Sequence, residues 1–397
     1  MQDKPKSYPL PFETIPCLKL SDHIEDLVEF QSYLEGRGIQ TTNTRIERYV
    51  EYLKQATVEN SADGTMIFKN SAEGPFESST DWMLYVLREA HELMWILKGL
   101  KVRVPLGIDE RLRVIVGGRD FAALDTDSKS RNAQFELRIA SYFCQAGCDV
   151  DLSTETDVIA KTDDQMFYLE CKRVGSKSQL AKRLSEAKQQ LYRRMPKNIG
   201  KRVVFGCVAV DVTKVAFSHN GLTFAMTNEH SKDIVQEKLI EIANISQRSS
   251  LFRDCRNVFS YWFQAHIPSL ILHPPTTVTR FSSYHILRDS MSRKEHRAVR
   301  AFCNIFESAS KGDTREAPAK ALTPRTNYTF PKGTTFNLDE GLLMEFLETG
   351  KVTEKGINEE VATLTINDRS YTFSFFDFRM ILPGITKETL NKFLHDL

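Results

Sequence analysis

The chain has 397 residues, is 41% hydrophobic and 26% charged, and carries a formal net charge of +1. That length fits about two or three domains, and the composition is that of an ordinary soluble globular protein. A near-neutral total gives no general pull on nucleic acid, so any basic surface must be local and offset elsewhere. The seven cysteines (17, 144, 148, 171, 207, 255 and 303) are scattered without metal-ligand spacing. Cys144 and Cys148 lie in or just after a helix with no second Cys/His pair, which argues against zinc. An odd count without pairing spacing fits reduced thiols and a cytoplasmic location. The opening Met-Gln-Asp-Lys-Pro-Lys, with prolines at 5, 9, 11 and 16, contains no apolar run of signal length. No window is long and apolar enough for a membrane span, so no membrane partner is expected.

Residues 1–127 read as a mostly helical N-terminal domain. Ser21-Asp22 caps a helix in which Ile24, Leu27, Val28 and Leu34 recur at helical spacing. A second helix is expected over Thr44–Gln55, with Ile46, Tyr49, Val50 and Leu53 on one face. A third begins at the Ser78-Ser79-Thr80-Asp81 capping cluster and runs through Trp82, Tyr85, Val86, Leu93, Trp95, Ile96 and Leu97. Glu59–Glu77 is expected as a loop or short hairpin, and Leu112–Val116, ahead of Gly117-Gly118, as a short strand. No chemistry is legible here, and His91, among helix apolars, reads as a packed or surface histidine rather than a ligand.

The apolar period changes at Ser128. Asn132–Gln145 is expected as a helix with Phe135, Ile139, Tyr142, Phe143 and Ala146 on its buried face, stopped by Gly147. Strands are expected at Cys148–Ser153, Asp157–Lys161 and, after an Asp163-Asp164-Gln165 turn, Met166–Val174. Gly175-Ser176-Lys177-Ser178 opens a helix with Leu180, Leu184, Ala187, Leu191 and Met195 on its apolar face. Val203–Val212 is nearly continuous in apolar residues, as in a strand buried on both faces. A helix at Lys232–Asn244 and a strand at Val258–Leu272 follow, and Pro274-Pro275 marks a boundary.

Within this unit, Asp157 stands at the edge of one apolar strand, and Glu170-Cys171-Lys172 ends the next. Side chains alternate along a strand, so Glu170 and Lys172 share one face, and Phe167, Leu169 and Cys171 share the other. Two carboxylates and an ammonium on an apolar sheet need compensation, which a hard divalent cation commonly supplies. A structural ion pair is the plainer reading of Glu170 and Lys172. The pattern resembles the active site of the PD-(D/E)xK nuclease superfamily, the fold of many restriction endonucleases and recombination nucleases. In that family an acid opens the second core strand and an acid-x-Lys ends the third. Asp157 and Glu170-Cys171-Lys172 match, while Thr156 stands where the family commonly has proline. The match covers the middle third of the chain, and helix, three strands, helix, strand is the order of a restriction-endonuclease-like core.

The resemblance implies Mg²⁺ or Mn²⁺ held by Asp157, Glu170 and the carbonyl of Cys171, with Lys172 orienting water or stabilising transition-state charge. It also implies a further ligand in Glu136, on the preceding helix. Glu136 can instead be an edge glutamate pairing with Arg131 or Lys172, and Glu155 rivals Asp157. Asp163 and Asp164 read as turn residues. From Cys171 to Arg202 the bases far outnumber the single acid, Glu186. Lys177, Lys182, Arg183, Arg193 and Arg194 on the helix are therefore candidate phosphate contacts, although a charge run can also be a solvated face. The family often carries a Gln on this helix that organises the site. Gln189 is preferred to Gln190 for that role.

Residues 275–397 are expected to hold a basic helix at Arg288–Ser310, with Arg293, Lys294, Arg297 and Arg300, and a polar linker at Lys311–Arg325. A small α+β region follows, with a helix at Leu338–Leu347 and a hairpin of Val361–Ile366 and Tyr371–Phe376. His266, His285 and His296 show no mutual spacing for metal binding or nucleophilic catalysis. No phosphate-cradling loop indicates an ATPase. The whole reads as an α/β protein with helical and α+β flanks: residues 1–127, 128–274 and 275–397. The expected function is a metal-dependent nuclease, with DNA ahead of RNA as its partner because most of the family acts on DNA. The flanks would bind substrate, self-associate as a homo-oligomer or gate the site, and bacterial antiviral defence is a setting for such a nuclease. The rivals are a non-catalytic nucleic-acid-binding or scaffold protein that kept the fold, and an effector whose N-terminal helices sense a ligand.

Overall fold

The computed structural model describes residues 9–10, 20–58, 79–122, 125, 127–196, 199, 202–217, 223–225, 228–246, 251–253, 258–272, 275–289, 291–310, 328–329, 335–339, 342, 356, 359–366 and 369–374. The expected loop at Glu59–Glu77 and the linker at Lys311–Arg325 lie outside them. After the short strand β1 (Pro9–Leu10) come three helices: α1 (Leu20–Gly36), α2 (Arg45–Val58) and α3 (Ser79–Val102). Their periodic apolars, Leu27, Leu34, Ile46, Tyr49, Leu53, Val86 and Leu93 among them, are buried. The strand expected at Leu112–Val116 is instead part of a helix, α4 (Ile108–Ile115). Counted from Ile108, the buried residues Ile108, Leu112 and Ile115 repeat at helical spacing, and that longer pattern overrides the short apolar run.

α5 (Lys129–Gln145) leads into β2 (Asp149–Asp151), β3 (Val158–Lys161) and β4 (Gln165–Arg173). Gly147 ends the helix turn with φ of 79°, the left-handed conformation glycine adopts without strain. The three strands form an antiparallel meander. α6 (Lys177–Arg194) then returns the chain to β5 (Val203–Asp211), which pairs in parallel with β4. α7 (Thr213–Ala216), β6 (Thr223–Ala225) and α8 (Asn228–Ile245) lead to the long strand β7 (Val258–Leu272). Its first half takes β5 and its last residues take β6, both in parallel. β8 (Pro275–Leu287) runs back antiparallel along β7, from Leu272↔Pro275 to Ser260↔Leu287.

The result is a mixed seven-stranded sheet among helices, an α/β architecture. The expected boundary at Pro274-Pro275 falls between two paired strands of that sheet. Proline suits the first residue of a strand, so Pro275 opens β8 rather than ending a domain. The boundary expected after residue 127 separates no core either. One continuous apolar cluster joins Leu27, Leu53 and Leu97 to Phe143, Phe167, Phe205 and Phe302. The alternation along β4 sorts the layers: Phe167, Leu169 and Cys171 face this cluster, while Met166 and Tyr168 face α6 and α8. α9 (Arg293–Ser310) docks through the buried residues Ala298, Phe302, Ile305 and Ala309, with Arg293, Lys294, Arg297 and Arg300 exposed. Arg288, expected in this helix, precedes it and pairs with Glu295.

Toward the C-terminus, β9 (Tyr328–Thr329) pairs with β1. β10 (Thr335–Leu338), β11 (Glu360–Ile366) and β12 (Arg369–Ser374) form a three-stranded antiparallel sheet. The expected hairpin is β11–β12. Leu338, expected to open a helix, ends β10, and apart from Asp339 and Leu342 the rest of that helix lies outside the described residues.

A buried ionic network fastens the first helices to the sheet. Arg45, fully buried, donates to the Ile115 carbonyl at 2.9 Å, to Glu89 at 3.2 Å and to Gln134. Arg131 pairs with the same Glu89 and, at 3.1 Å, with Asp125. Arg138 bridges Glu92 at 3.0 Å and Asp211, the last residue of β5, at 3.5 Å. Burial works against the Asp211 carboxylate, but Arg138, Arg173 and the hydrogen bonds from Thr213 outweigh it, lowering its pKa from 3.8 to about 2. Its contribution to stability is therefore complete above about pH 4 and is lost as pH falls toward about 2, which an acid-unfolding curve should show and Asp211→Asn should lack. Glu89→Gln would leave Arg45 and Arg131 buried without their shared anion. A loss of about 3–5 kcal/mol in urea unfolding is expected, and an unchanged midpoint would show the network to be energetically idle.

Candidate active site

The β3–β4 register sets Val158 against Leu169, so Asp157, one residue before β3, comes opposite Glu170. The backbone N–H of Cys171 donates to Asp157 Oδ2 at 2.7 Å, which fixes the carboxylate at the end of the hairpin. Lys172 Nζ lies 3.9 Å from Asp157 Oδ2 and 3.6 Å from Glu170 Oε2. The Lys172 ammonium thus lies between the two carboxylates. Glu136 enters from α5 and is held by Arg111 Nε of α4 at 2.7 Å. Glu136, Asp157, Cys171 and Lys172 line one polar cavity of about 490 Å³, together with Asn132, Arg173, Gln190, Asp211 and Lys214.

Glu170 is the extreme member, a carboxylate with no exposed side-chain surface. Its Oε1 accepts from Arg194 Nη1 at 2.8 Å, while Oε2 has no hydrogen-bond partner. Burial, and then the neighbouring charge of Asp157, raise the Glu170 carboxyl above its ordinary range against the pull of Arg194 and Lys172. The same two causes lift Glu136 to about 7. Burial, followed by the surrounding carboxylates, pushes the Cys171 thiol well up, so it stays protonated and inert.

Helix α6 supplies one wall. Leu180, Leu184, Ala187 and Leu191 are buried on the sheet. A second stripe, Gln179, Arg183, Glu186 and Gln190, lines the cavity at the same helical spacing, and Arg194 continues it. Gln189 is exposed on the outer side of the helix, so the glutamine facing the site is Gln190, one residue on and a third of a turn away. The basic residues divide likewise. Lys182 and Arg193 are exposed on the solvent side of the cavity stripe. Arg183 lines the cavity and pairs with Glu186 at 3.0 Å. Lys177 lies on the opposite flank, paired with Glu241 of α8 at 3.2 Å. Arg194 is turned inward onto Glu170 rather than outward. Glu155 is largely exposed and lies 3.9 Å from Arg194, and Asp163 and Asp164 are exposed in their turn.

Three participants escaped the sequence reading: Arg111, Asp211 and Lys214. Asp211 had a signal, an acid closing an otherwise apolar run, whereas Arg111 comes from a helix far away in the chain.

Among the described residues, no group of three or more His, Cys, Asp or Glu side chains is arranged to hold a metal ion. Each of the three carboxylates is instead turned onto a cation: Glu136 onto Arg111, Glu170 onto Arg194, and Asp157 and Glu170 onto Lys172. The donor set of Asp157 and Glu170 still suits a hard cation, because it is all oxygen and includes one buried oxygen without a hydrogen-bond partner. No helix among the described residues is long and apolar enough to cross a membrane. Comparison of the chain with protein-family models, curated proteins and solved structures returns no match.

The raised carboxyls make a testable statement about pH. In the metal-free chain, Glu136 and Glu170 hold protons more tightly folded than unfolded, so stability falls as pH rises from about 4.5 to about 7. The double variant Glu136→Gln/Glu170→Gln should flatten the urea midpoint across that interval with a chelator present. A slope equal to the parent's would show that both ionise as ordinary surface carboxylates do.

Proposed function

We propose that the chain is a divalent-metal-dependent nuclease built on a restriction-endonuclease-like core, acting on DNA ahead of RNA. The observation that carries this reading is the meeting of Asp157, Glu170 and Lys172 at one corner of the sheet, with Asp157 and Lys172 on the wall of a polar cavity beside a basic helix. Mg²⁺ or Mn²⁺ would be held by Asp157 and Glu170, with the Cys171 carbonyl as the implied third donor. Once bound, such an ion supplies Lewis acidity toward a phosphodiester and lowers the pKa of water.

The chain's own groups do the rest. Lys172 stands where its ammonium can hold a water by hydrogen bonding and meet negative charge that develops on the phosphorus oxygens. Glu136, raised to about 7, can take up or release a proton near neutral pH at the same cavity. Gln190, its Oε1 buried without a hydrogen-bond partner, can orient water or a phosphate oxygen from the α6 side. Lys182 and Arg193 supply backbone contacts that carry no sequence information.

A second reading, a nucleic-acid-binding protein of the same architecture without catalysis, is favoured by one feature: Glu136, Asp157 and Glu170 each already have a protein cation. Cleavage of plasmid, linear and single-stranded DNA and of RNA, with Mg²⁺, Mn²⁺ or EDTA, separates the two. On the nuclease reading, Asp157→Ala, Glu170→Ala and Lys172→Ala each lower cleavage by about a hundredfold or more. Lys172→Ala loses turnover more than affinity, because its charge acts mainly on the transition state. If Lys172→Ala cuts as fast as the parent, the lysine is a structural partner only and the assignment loses its support. Binding should weaken steeply with salt, and Lys182→Glu/Arg193→Glu should weaken it evenly across sequences and reduce the salt slope. An unchanged slope would remove α6 as the substrate surface.

A further inference from the structure

We infer that Arg194 is a gate on the carboxylate site: its guanidinium occupies Glu170 until the phosphate backbone of a nucleic-acid strand draws it away, so that divalent cation and strand bind cooperatively. The inference rests on the nuclease reading and adds to it an order of assembly. Glu170 has no exposed surface, so few groups can reach it. Two cations do, Lys172 at 3.6 Å and Arg194 at 2.8 Å.

They differ in how firmly they are placed. Lys172 belongs to β4, two residues from Glu170 on the same face, and is 17% exposed. Arg194 is the last residue of α6, is 26% exposed, and has a second carboxylate, the outlying Glu155, 3.9 Å from its Nε. It is the cation able to leave. While it stays, it hydrogen-bonds Oε1 of a carboxylate that would hold the metal and sets a positive charge where a divalent ion would add two more. Like charges at that range repel strongly in a site shielded from water.

A phosphate gives Arg194 somewhere to go. Guanidinium binds phosphate through paired charge-assisted hydrogen bonds, which offsets what is lost at Glu170. A strand drawn by Lys182 and Arg193 would come past the end of α6, where Arg194 sits next to Arg193. Release of Arg194 then frees Glu170 Oε1 beside Oε2, which has no hydrogen-bond partner. By linkage, the strand tightens cation binding by the same factor as the cation tightens the strand. The device keeps an activated water from forming before substrate is present.

The test is Mn²⁺ binding by the full-length chain, followed by electron paramagnetic resonance of the free ion, with and without a non-cleavable phosphorothioate DNA. Parent, Arg194→Gln, Arg194→Lys and Lys188→Gln are compared, the last removing one charge from the opposite flank of α6. The parent should bind Mn²⁺ weakly alone and about tenfold tighter with DNA. Arg194→Gln should bind Mn²⁺ about tenfold tighter than the parent without DNA, and gain less than about threefold from it. Arg194→Lys should fall between them and Lys188→Gln should match the parent. A residue that merely braces Glu170 would give the opposite sign, weaker Mn²⁺ binding in Arg194→Gln, and that result overturns the gate. Equal binding by parent and Arg194→Gln overturns it too while leaving the nuclease reading standing. Absence of Mn²⁺ binding in every protein, with and without DNA, defeats the nuclease reading and the gate together.

Discussion

A carboxylate with no exposed surface, set in a sheet strand, is tolerated only where cations reach it from elsewhere in the fold, and Glu170 imposes that demand on its surroundings. Lys172 answers from the same strand and Arg194 from the end of α6. Asp157, pinned by the Cys171 N–H, adds negative charge at the same corner and so makes the need greater. On the α5 side Glu136 repeats the problem and Arg111 of α4 answers it. The relative placement of α4, α5, α6 and the β3–β4 hairpin is thus fixed by ion pairing as well as by apolar packing. α6 can hold its position because Leu180, Leu184, Ala187 and Leu191 anchor it to the sheet along its length.

α5 links this corner to the first helices. Phe135, Ile139 and Phe143 are buried in the core, Glu136 turns to the cavity, and Arg131, Gln134 and Arg138 turn to Glu89 and Glu92 of α3. Arg138 and Arg173 share Asp211, which lines the cavity. A chain of ion pairs and hydrogen bonds therefore runs from Arg45 on α2 to the wall of the site. The same contact surface buries His266, whose Nε2 is 3.0 Å from His91 Nδ1 and whose ring packs on Phe281. Burial first, then the nearby cations, hold His266 well below the usual histidine range, so it stays neutral. The N-terminal helices are joined to the sheet that carries the candidate active site through a shared core and ion pairs, rather than forming a separate arm.

The parts legible in the sequence were those governed by local periodicity. Alternation along 166–172 placed Glu170 and Lys172 together and Phe167, Leu169 and Cys171 on the opposite layer. Helical spacing located α1, α2, α3, α5 and α6 to within a few residues. What failed depended on contacts between distant segments. Gln189 and Gln190 are both mid-helix, and only the direction of the cavity distinguishes them. Pro274-Pro275 looks the same in a linker and at a strand reversal. Arg194 belongs to a run of bases whose members face three ways, and the run itself does not say that its last residue turns inward. Apart from Arg131 with Asp125, the pairings of Arg45, Arg131 and Arg138 with Glu89, Gln134 and Glu92 join residues 42 to 89 positions apart, so no short window along the chain contains both partners.

The charge around the cavity also bears on how a polyanion would approach it. Its walls hold Lys172, Arg173, Arg183 and Lys214 against Glu136, Asp157, Glu186 and Asp211. Several of these are already paired with one another, so the cavity alone offers little net attraction for phosphate. On the nuclease reading, attraction would come from the solvent side of α6, where Lys182 and Arg193 are exposed. On that reading, capture and chemistry would fall to different stripes of one helix, with the apolar stripe holding it in place. Arg194 continues the cavity stripe and follows Arg193 in the chain, so it is the one residue of α6 placed to report on both. A contact made on the outer surface can reach the buried carboxylate through a single side chain, without movement of the sheet.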